Sequence, residues 1–132
     1  MLSVELGETG WIVKSYSANP DWLLNHHRAK IPERTAFAKR LAKLHPKKIV
    51  DLGCATGLWL ELLNGIMPLD CEFIGIDSDI QSLEIANSRS KSWSRKTAFL
   101  RLDIEKDVTS IPSADMILAS YFLTLPNIRR RI

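Results

Sequence analysis

The sequence predicts an α/β fold, an open sheet of parallel strands with helices between them, and three observations predict it. Short apolar, β-branched runs recur along the chain, and each ends in or just before an acid, at Asp51, Asp77 and Asp103. Between the runs lie stretches with helical spacing, and alternation of this kind calls for parallel strands joined by right-handed crossovers. The first run passes directly into small residues at every second position, Gly53, Ala55 and Gly57, as in a tight turn whose backbone lets a ligand come close.

Residues 1–19 are turn-rich, punctuated by Gly7, Gly10 and then Pro20, and Ile12 to Tyr16 either forms a short strand or packs across the domain. Pro20 and Asp21 predict the start of a short helix through Trp22, Leu23, Leu24 and His27. A second helix is predicted to start at Pro32, with Phe37, Leu41 and Leu44 on one side, Ala38 and Ala42 filling it, and His45-Pro46 ending it. Ile49 to Leu52 reads as the first buried strand. From Thr56 a helix follows, with Leu58, Leu62 and Ile66 on one face, Trp59 and Leu63 beside it, and Asn64-Gly65 closing it.

Phe73 to Asp77 reads as the second strand, after which Ser78 or Asp79 caps a helix through Ile80, Leu83, Ile85 and Ala86. Residues 88–96 are polar and basic. They read as a solvated connector anchored by Trp93, with a nucleic-acid contact through Trp93, Arg89, Lys91, Arg95 and Lys96 as the alternative. Thr97 to Leu102 is the third strand and Met116 to Ser120 the fourth, preceded by Asp115; residues 107–113 between them are too few for a full crossover helix.

A strand, a glycine turn and a helix in that order also build dinucleotide sites, whose fingerprint is G-x-G-x-x-G. Here the order is G-x-A-x-G, and the third spacing differs. Asp51, two residues before the first glycine, would repel a pyrophosphate and welcome a cation. The acid at the second strand end lies twenty residues beyond Gly57 and suits both ribose hydroxyls in either class of enzyme.

Asp51-Leu52-Gly53-Cys54-Ala55-Thr56-Gly57 resembles the first motif of the class I S-adenosylmethionine-dependent methyltransferases, an acid and an apolar residue followed by G-x-G-x-G, with Ala55 in place of the middle glycine. Asp77, Asp103-Ile104 and the acid before the fourth strand are similar to the family's later motifs, so the resemblance covers about residues 35–125. It implies a Rossmann-like sheet in the order 3-2-1-4, lacking the last three strands of the family, and S-adenosyl-L-methionine as cofactor. It implies a single domain, with 1–31 as an N-terminal extension or lid, Trp11, Tyr16 and Trp22 as candidate lid aromatics, and 32–125 as the cofactor-binding core. The cofactor-binding residues it implies are Asp51, Gly53, Cys54, Ala55, Gly57, Asp77, Ser78, Asp103, Ile104 and Ser120. Among them Asp51 would meet the aminoacyl end, Asp77 the ribose, and Asp103 with Ile104 the adenine; the competing reading is that the acids cap the helices that follow them.

Composition fits an ordinary globular domain: 132 residues, 45% hydrophobic and 25% charged. No apolar run is long enough for a membrane span and no leader is visible, so a cytoplasmic location is expected. Cys54 and Cys71 lack metal or redox spacing and read as free buried thiols. His26 and His27, adjacent and without a partner at ligand spacing, read as surface residues; with Tyr121 they are the candidates for a general base, and no catalytic residue is assigned.

The net charge of +3 conceals a contrast. Arg28, Lys30, Arg34, Lys39, Arg40, Lys43, Lys47 and Lys48 face one acid, Glu33, while residues 49–88 carry seven acids and no Lys or Arg. The basic stretch reads as a solvated helix face or a polyanion contact, and the acidic stretch favours a cationic sulfonium.

The expected reaction is methyl transfer to a small-molecule acceptor, with RNA or protein as the next candidates. Two alternatives are a cofactor-binding pseudoenzyme or regulatory subunit that completes a partner, and an NAD-dependent oxidoreductase. The fourth strand is expected as a sheet edge, in a fragment or truncated enzyme or in a subunit covered by a partner or a second copy.

Overall fold

A computed structural model describes residues 3–6, 12–15 and 20–119. Strands β1 (Ser3–Leu6) and β2 (Ile12–Ser15) pair antiparallel as a separate two-stranded sheet, of which the sequence predicts only the second strand. After helix α1 (Pro20–Ala42) come β3 (Lys48–Leu52), α2 (Leu58–Asn64), β4 (Glu72–Asp77), α3 (Ile80–Ser90), β5 (Thr97–Arg101) and β6 (Met116–Leu118). The last four strands form a parallel sheet in the order β5-β4-β3-β6, which is 3-2-1-4 counted from β3.

β3 and β4 lie inside this sheet and are apolar on both faces, as buried parallel strands require. Ile49 and Phe73 point to one face and pack with Trp59, Leu60 and Leu63 of α2 and Leu83 of α3. Val50, Leu52, Ile74 and Ile76 point to the other, against Leu100, Leu102, Ile104, Ile111 and Ala114. In α2 the buried residues are Leu58, Trp59, Leu60 and Leu63, so the apolar face lies beside the predicted one and Leu62 is only partly covered. Between β5 and β6 only a 3-10 turn, Val108–Ser110, interrupts the connection, in keeping with its length.

Helix α1 corrects the sequence reading. It is one helix of 23 residues running through Pro32, so a boundary between 31 and 32 falls within it. Pro20 fits the first turn, where a missing N–H costs nothing, and Asp21 favours the helix start. An internal proline removes a backbone hydrogen bond and costs about 3 kcal/mol. The helix survives because Pro32 is exposed and both halves are anchored. Leu23, 1% exposed, packs on Ala55 and Leu58, while Ala38, 0% exposed, packs with Leu41 and Ala42 on the cluster around Trp59 and Leu63. Burying one leucine contributes about 2 kcal/mol. Phe37 and Leu44, predicted to face the core, are instead largely exposed.

Residues 88–96 give a second correction. α3 continues to Ser90, and Arg95 is a buried internal clamp. Its guanidinium donates to Asn64 Oδ1 and to the carbonyls of Asn64, Met67, Pro68 and Cys71 at 2.8 to 3.0 Å, and it lies 4.3 Å from the centroid of the Phe73 ring. A cation fits here because it supplies donors to carbonyls that converge from the end of α2 and the turn after it, where a helix leaves C=O groups to be satisfied; the Pro68 carbonyl also accepts from the Cys71 N–H. Trp93 packs edge-on against Phe73, the anchoring role expected of it.

At the opposite margin β6 is the edge of the described sheet, with Ile117 53% exposed. Ser120, Tyr121, Trp11 and Tyr16 lie outside the described residues. Among the described residues no helix is long and apolar enough to cross a membrane.

Candidate functional site

The parallel register brings the carboxyl ends of β3, β4 and β5 to one edge of the sheet. Asp51 stands opposite Gly75 and Leu118, Asp77 stands opposite Arg101, and the Leu102 N–H donates to the Asp77 carbonyl, so Asp103 follows one residue on. The three acids singled out in the sequence therefore share that edge.

Between β3 and α2 the turn is left-handed at alternate residues, with φ of 71° at Gly53, 49° at Ala55 and 82° at Gly57. Glycine adopts such angles freely, whereas alanine costs about 1 kcal/mol or more, which explains why glycine fits the middle of this motif. Several bonds hold the turn. Gly53 and Cys54 N–H groups donate to the Ile76 carbonyl at 2.7 and 2.9 Å, and the Ala55 N–H donates to Asp77 Oδ2 at 2.9 Å. The Thr56 carbonyl accepts from Arg89 Nε at 3.0 Å.

Asp77 also accepts from the Asp79 N–H through Oδ1, while Asp79 itself, and not Ser78, caps α3 by accepting from Ser82 N–H. Burial pushes the Asp77 carboxyl upward, and those backbone donors pull it back. A carboxylate has about four acceptor positions, so Asp77 retains capacity for a ligand. Asp103 is partly committed as well: its Oδ1 accepts from the Glu105 N–H, and its own N–H donates to Asp107 Oδ2. Asp103 thereby holds the turn after β5 rather than capping a helix, since Asp107 is the residue that precedes the next helical turn. Ser78 is exposed, and its carbonyl accepts from Arg101 Nε. Ile104 packs partly buried on the sheet face carrying Val50 and Ile76.

Asp51 is the exceptional group. It is 0% exposed, and neither carboxylate oxygen has a hydrogen-bond partner. Burial, and then the charge of Asp77, push its carboxyl up to about 8, with Arg34 opposing the shift. The neighbouring Cys54 thiol is pushed well up by burial and by both aspartates, which makes it unreactive. Gly75, opposite Asp51, leaves no room for a side chain: a Cβ there would lie 2.6 Å from the Phe99 ring and 2.9 Å from Cys54 Sγ. An isolated glycine inside a strand pattern is the signal for such a contact.

The reading of both histidines as surface residues is corrected at His27, which is 5% exposed. Arg34 Nη1 donates to its Nδ1 at 2.7 Å, and the same guanidinium lies 5.6 Å from the centroid of Trp59. An arginine can only donate, so Nδ1 is the acceptor and the ring proton sits on Nε2. Burial and the Arg34 charge lower the His27 pKa. His26 stacks on Trp22 at 5.1 Å, and Trp22 packs with Leu23 beside Ala55 and Leu58, so the first turns of α1 rest on the glycine turn. Neither histidine nor the arginines near the turn could be placed from spacing alone, because α1 reads as two helices. Among the described residues no three His, Cys, Asp or Glu side chains cluster as a metal site. Asp115, at the other end of the sheet, accepts from the Lys47 N–H.

No curated protein sequence matches the chain. Among solved structures, the plantazolicin methyltransferase BpumL in complex with SAH is 25% identical with a TM-score of 0.58, covering 80% of this chain and 43% of that one. The SAH-bound Podospora anserina methyltransferase PaMTH1 is 16% identical with a TM-score of 0.57, covering 76% and 50%. A putative O-methyltransferase from Klebsiella pneumoniae is 16% identical with a TM-score of 0.54, covering 64% and 41%. The last two likenesses speak for the fold alone, and the chain spans half or less of each of these structures. A methyltransferase-domain family matches residues 49–131, well over half of the chain and all but the first residue of the parallel sheet, and to that family, with its Rossmann-like fold, the chain belongs.

Proposed function

We propose that the edge formed by β3, β4 and β5 binds S-adenosylmethionine and that the protein transfers its methyl group to a small-molecule acceptor. The observation that carries the reading is Asp51, a fully buried carboxylate with two unpartnered oxygens beside a left-handed turn. Burying such a group without partners is costly, and the ammonium of an amino-acid ligand would supply both the donors and the compensating charge. Bound there, the cofactor supplies an electrophilic methyl on a positively charged sulfur.

In this reading Gly53, Cys54, Ala55 and Gly57 let the ligand approach the backbone and Asp51 meets its aminoacyl end. Asp77 and Ser78 serve the ribose, Asp103 and Ile104 the adenine, and Ser120 joins them from beyond the described residues. The protein's task is then to hold acceptor and methyl in line. BpumL, solved with SAH and with a desmethylPZN analog, supports the choice of a small-molecule acceptor. Two free buried thiols, Cys54 and Cys71, accord with a reducing, cytoplasmic setting.

Titration calorimetry with S-adenosylhomocysteine tests the reading. One-site binding is expected, and at pH 7 the heat should vary with the buffer, because an ammonium at Asp51 would turn a protonated carboxyl into a carboxylate and release up to one proton. Absence of binding at millimolar ligand would overturn it. The exposed Ile117 on the β6 edge favours a second reading, in which further chain from a partner or another copy completes the sheet. Binding only in a larger assembly, seen by size-exclusion chromatography, would select that one.

A further inference from the structure

The turn between β3 and α2 is not held from its own side alone. α3 reaches it twice, one helical turn apart. Ala86 packs so close to Gly57 that a Cβ on the glycine would sit 3.1 Å from the alanine's own. Arg89 then crosses to the turn, donating from Nε to the Thr56 carbonyl at 3.0 Å and from Nη1 to Glu61 Oε2 in α2 at 3.2 Å. The residue before Thr56 is the strained one, Ala55 at φ 49°, whose N–H is fixed by Asp77. The Ala55–Thr56 pair is thus gripped on one side by an aspartate at the end of β4 and on the other by an arginine near the end of α3. From the sequence, Arg89 reads as part of a solvated or phosphate-facing stretch; its guanidinium is instead spent on backbone and on Glu61.

We infer that Arg89 is a positioning residue for cofactor binding: by fixing the Thr56 carbonyl and the first turn of α2, it holds the left-handed turn in its ligand-ready shape. The inference rests on the functional reading above. A bidentate guanidinium suits this work because one planar group fixes a backbone carbonyl and a carboxylate at once, whereas a lysine ammonium lacks that fork. The turn needs outside support because alanine at a left-handed position gains from relaxing, and a relaxed turn must be re-formed when ligand binds, which weakens affinity.

The test measures S-adenosylhomocysteine affinity by calorimetry and the melting temperature of the ligand-free protein, for wild type, Arg89→Ala, Arg89→Lys, Ala55→Gly and the Ala55→Gly/Arg89→Ala double variant. Arg89→Ala should weaken binding about tenfold, the size expected for a lost charge-assisted hydrogen bond, and Arg89→Lys should recover part of it. Glycine at 55 removes the source of strain, so in that background Arg89→Ala should change affinity by about threefold or less. A merely structural arginine would lower the melting temperature equally in both backgrounds and leave affinity within about twofold of its parent, which would overturn the inference alone. Wild-type protein that binds no S-adenosylhomocysteine would overturn the functional reading and this inference together.

Discussion

Asp51→Asn is the substitution that bears most directly on the buried carboxylate. In the folded chain burial pushes this carboxyl up to about 8, so between about pH 4 and pH 8 the fold holds a proton that the unfolded chain releases. Stability therefore falls as pH rises through that window, and the loss is complete above about pH 8. At about 1.4 kcal/mol per unit, over roughly three units between the ordinary carboxyl value and neutrality, keeping Asp51 protonated in the fold costs the wild type about 4 kcal/mol at pH 7. Asparagine does not titrate, but its amide brings one more donor hydrogen than the protonated carboxyl into the same unpartnered place and costs about 1 to 3 kcal/mol more.

The variant is thus expected to be more stable than wild type at pH 7 by about 2 kcal/mol, near 8 °C in melting temperature for a chain of this size. Near pH 4.5 the order should reverse. Asp77 is common to both proteins, so the difference isolates Asp51 and its coupling to that neighbour. Urea denaturation at four pH values between 4.5 and 8.5 measures it. Parallel stability profiles, with the variant displaced by the same amount throughout, would show that Asp51 titrates as an ordinary carboxyl and would refute the reasoning.

Arg95→Ala removes the guanidinium donors from the carbonyls of Asn64, Met67 and Cys71 and should lower stability by about 3 kcal/mol or more, with Arg95→Lys recovering little; thermal denaturation decides it. Gly75→Ala drives a methyl into the Phe99 ring and Cys54 Sγ, for an expected loss of about 1 to 3 kcal/mol, and Phe99→Leu in the same chain should restore part of it. His27 is neutral in the fold and its pKa is lowered, so the unfolded chain takes up a proton first on acidification. The His27 contribution to stability should fall as pH drops below about 6.5, opposing that of Asp51, and His27→Gln should remove it while keeping an acceptor for Arg34, so the difference between the two profiles measures it.

The sheet was legible because β3 and β4 carry apolar residues on both faces and end in acids, a pattern that fixes type, direction and ligand edge together. The placement of the candidate residues was legible from the same pattern: Asp51, Gly53, Gly57, Asp77 and Asp103 stand where strand ends and glycine spacing put them. What escaped prediction depends on contacts distant in sequence. Nothing near Pro32 announces that Leu23 and Ala38 are both anchored, so a proline that usually opens a helix reads as a start. Arg95 and Arg89 sit in a polar, serine-rich stretch, and only the folded chain reveals that their partners are 24 to 33 residues away. His27 reads as a surface residue because its cover comes from the packing of α1 on α2, which periodicity within α1 does not report.

The Arg95 clamp also bears on the order in which the molecule is assembled. Its guanidinium closes the segment from Asn64 to Cys71, yet it is synthesised more than twenty residues after that segment. A nascent chain halted before residue 95 would leave the α2-to-β4 bend with dangling carbonyls, and the ribosome must deliver the entrance to β5 before the earlier βαβ unit can lock. A single cation near the entrance to β5 thereby ties the first βαβ unit to the strand that follows it.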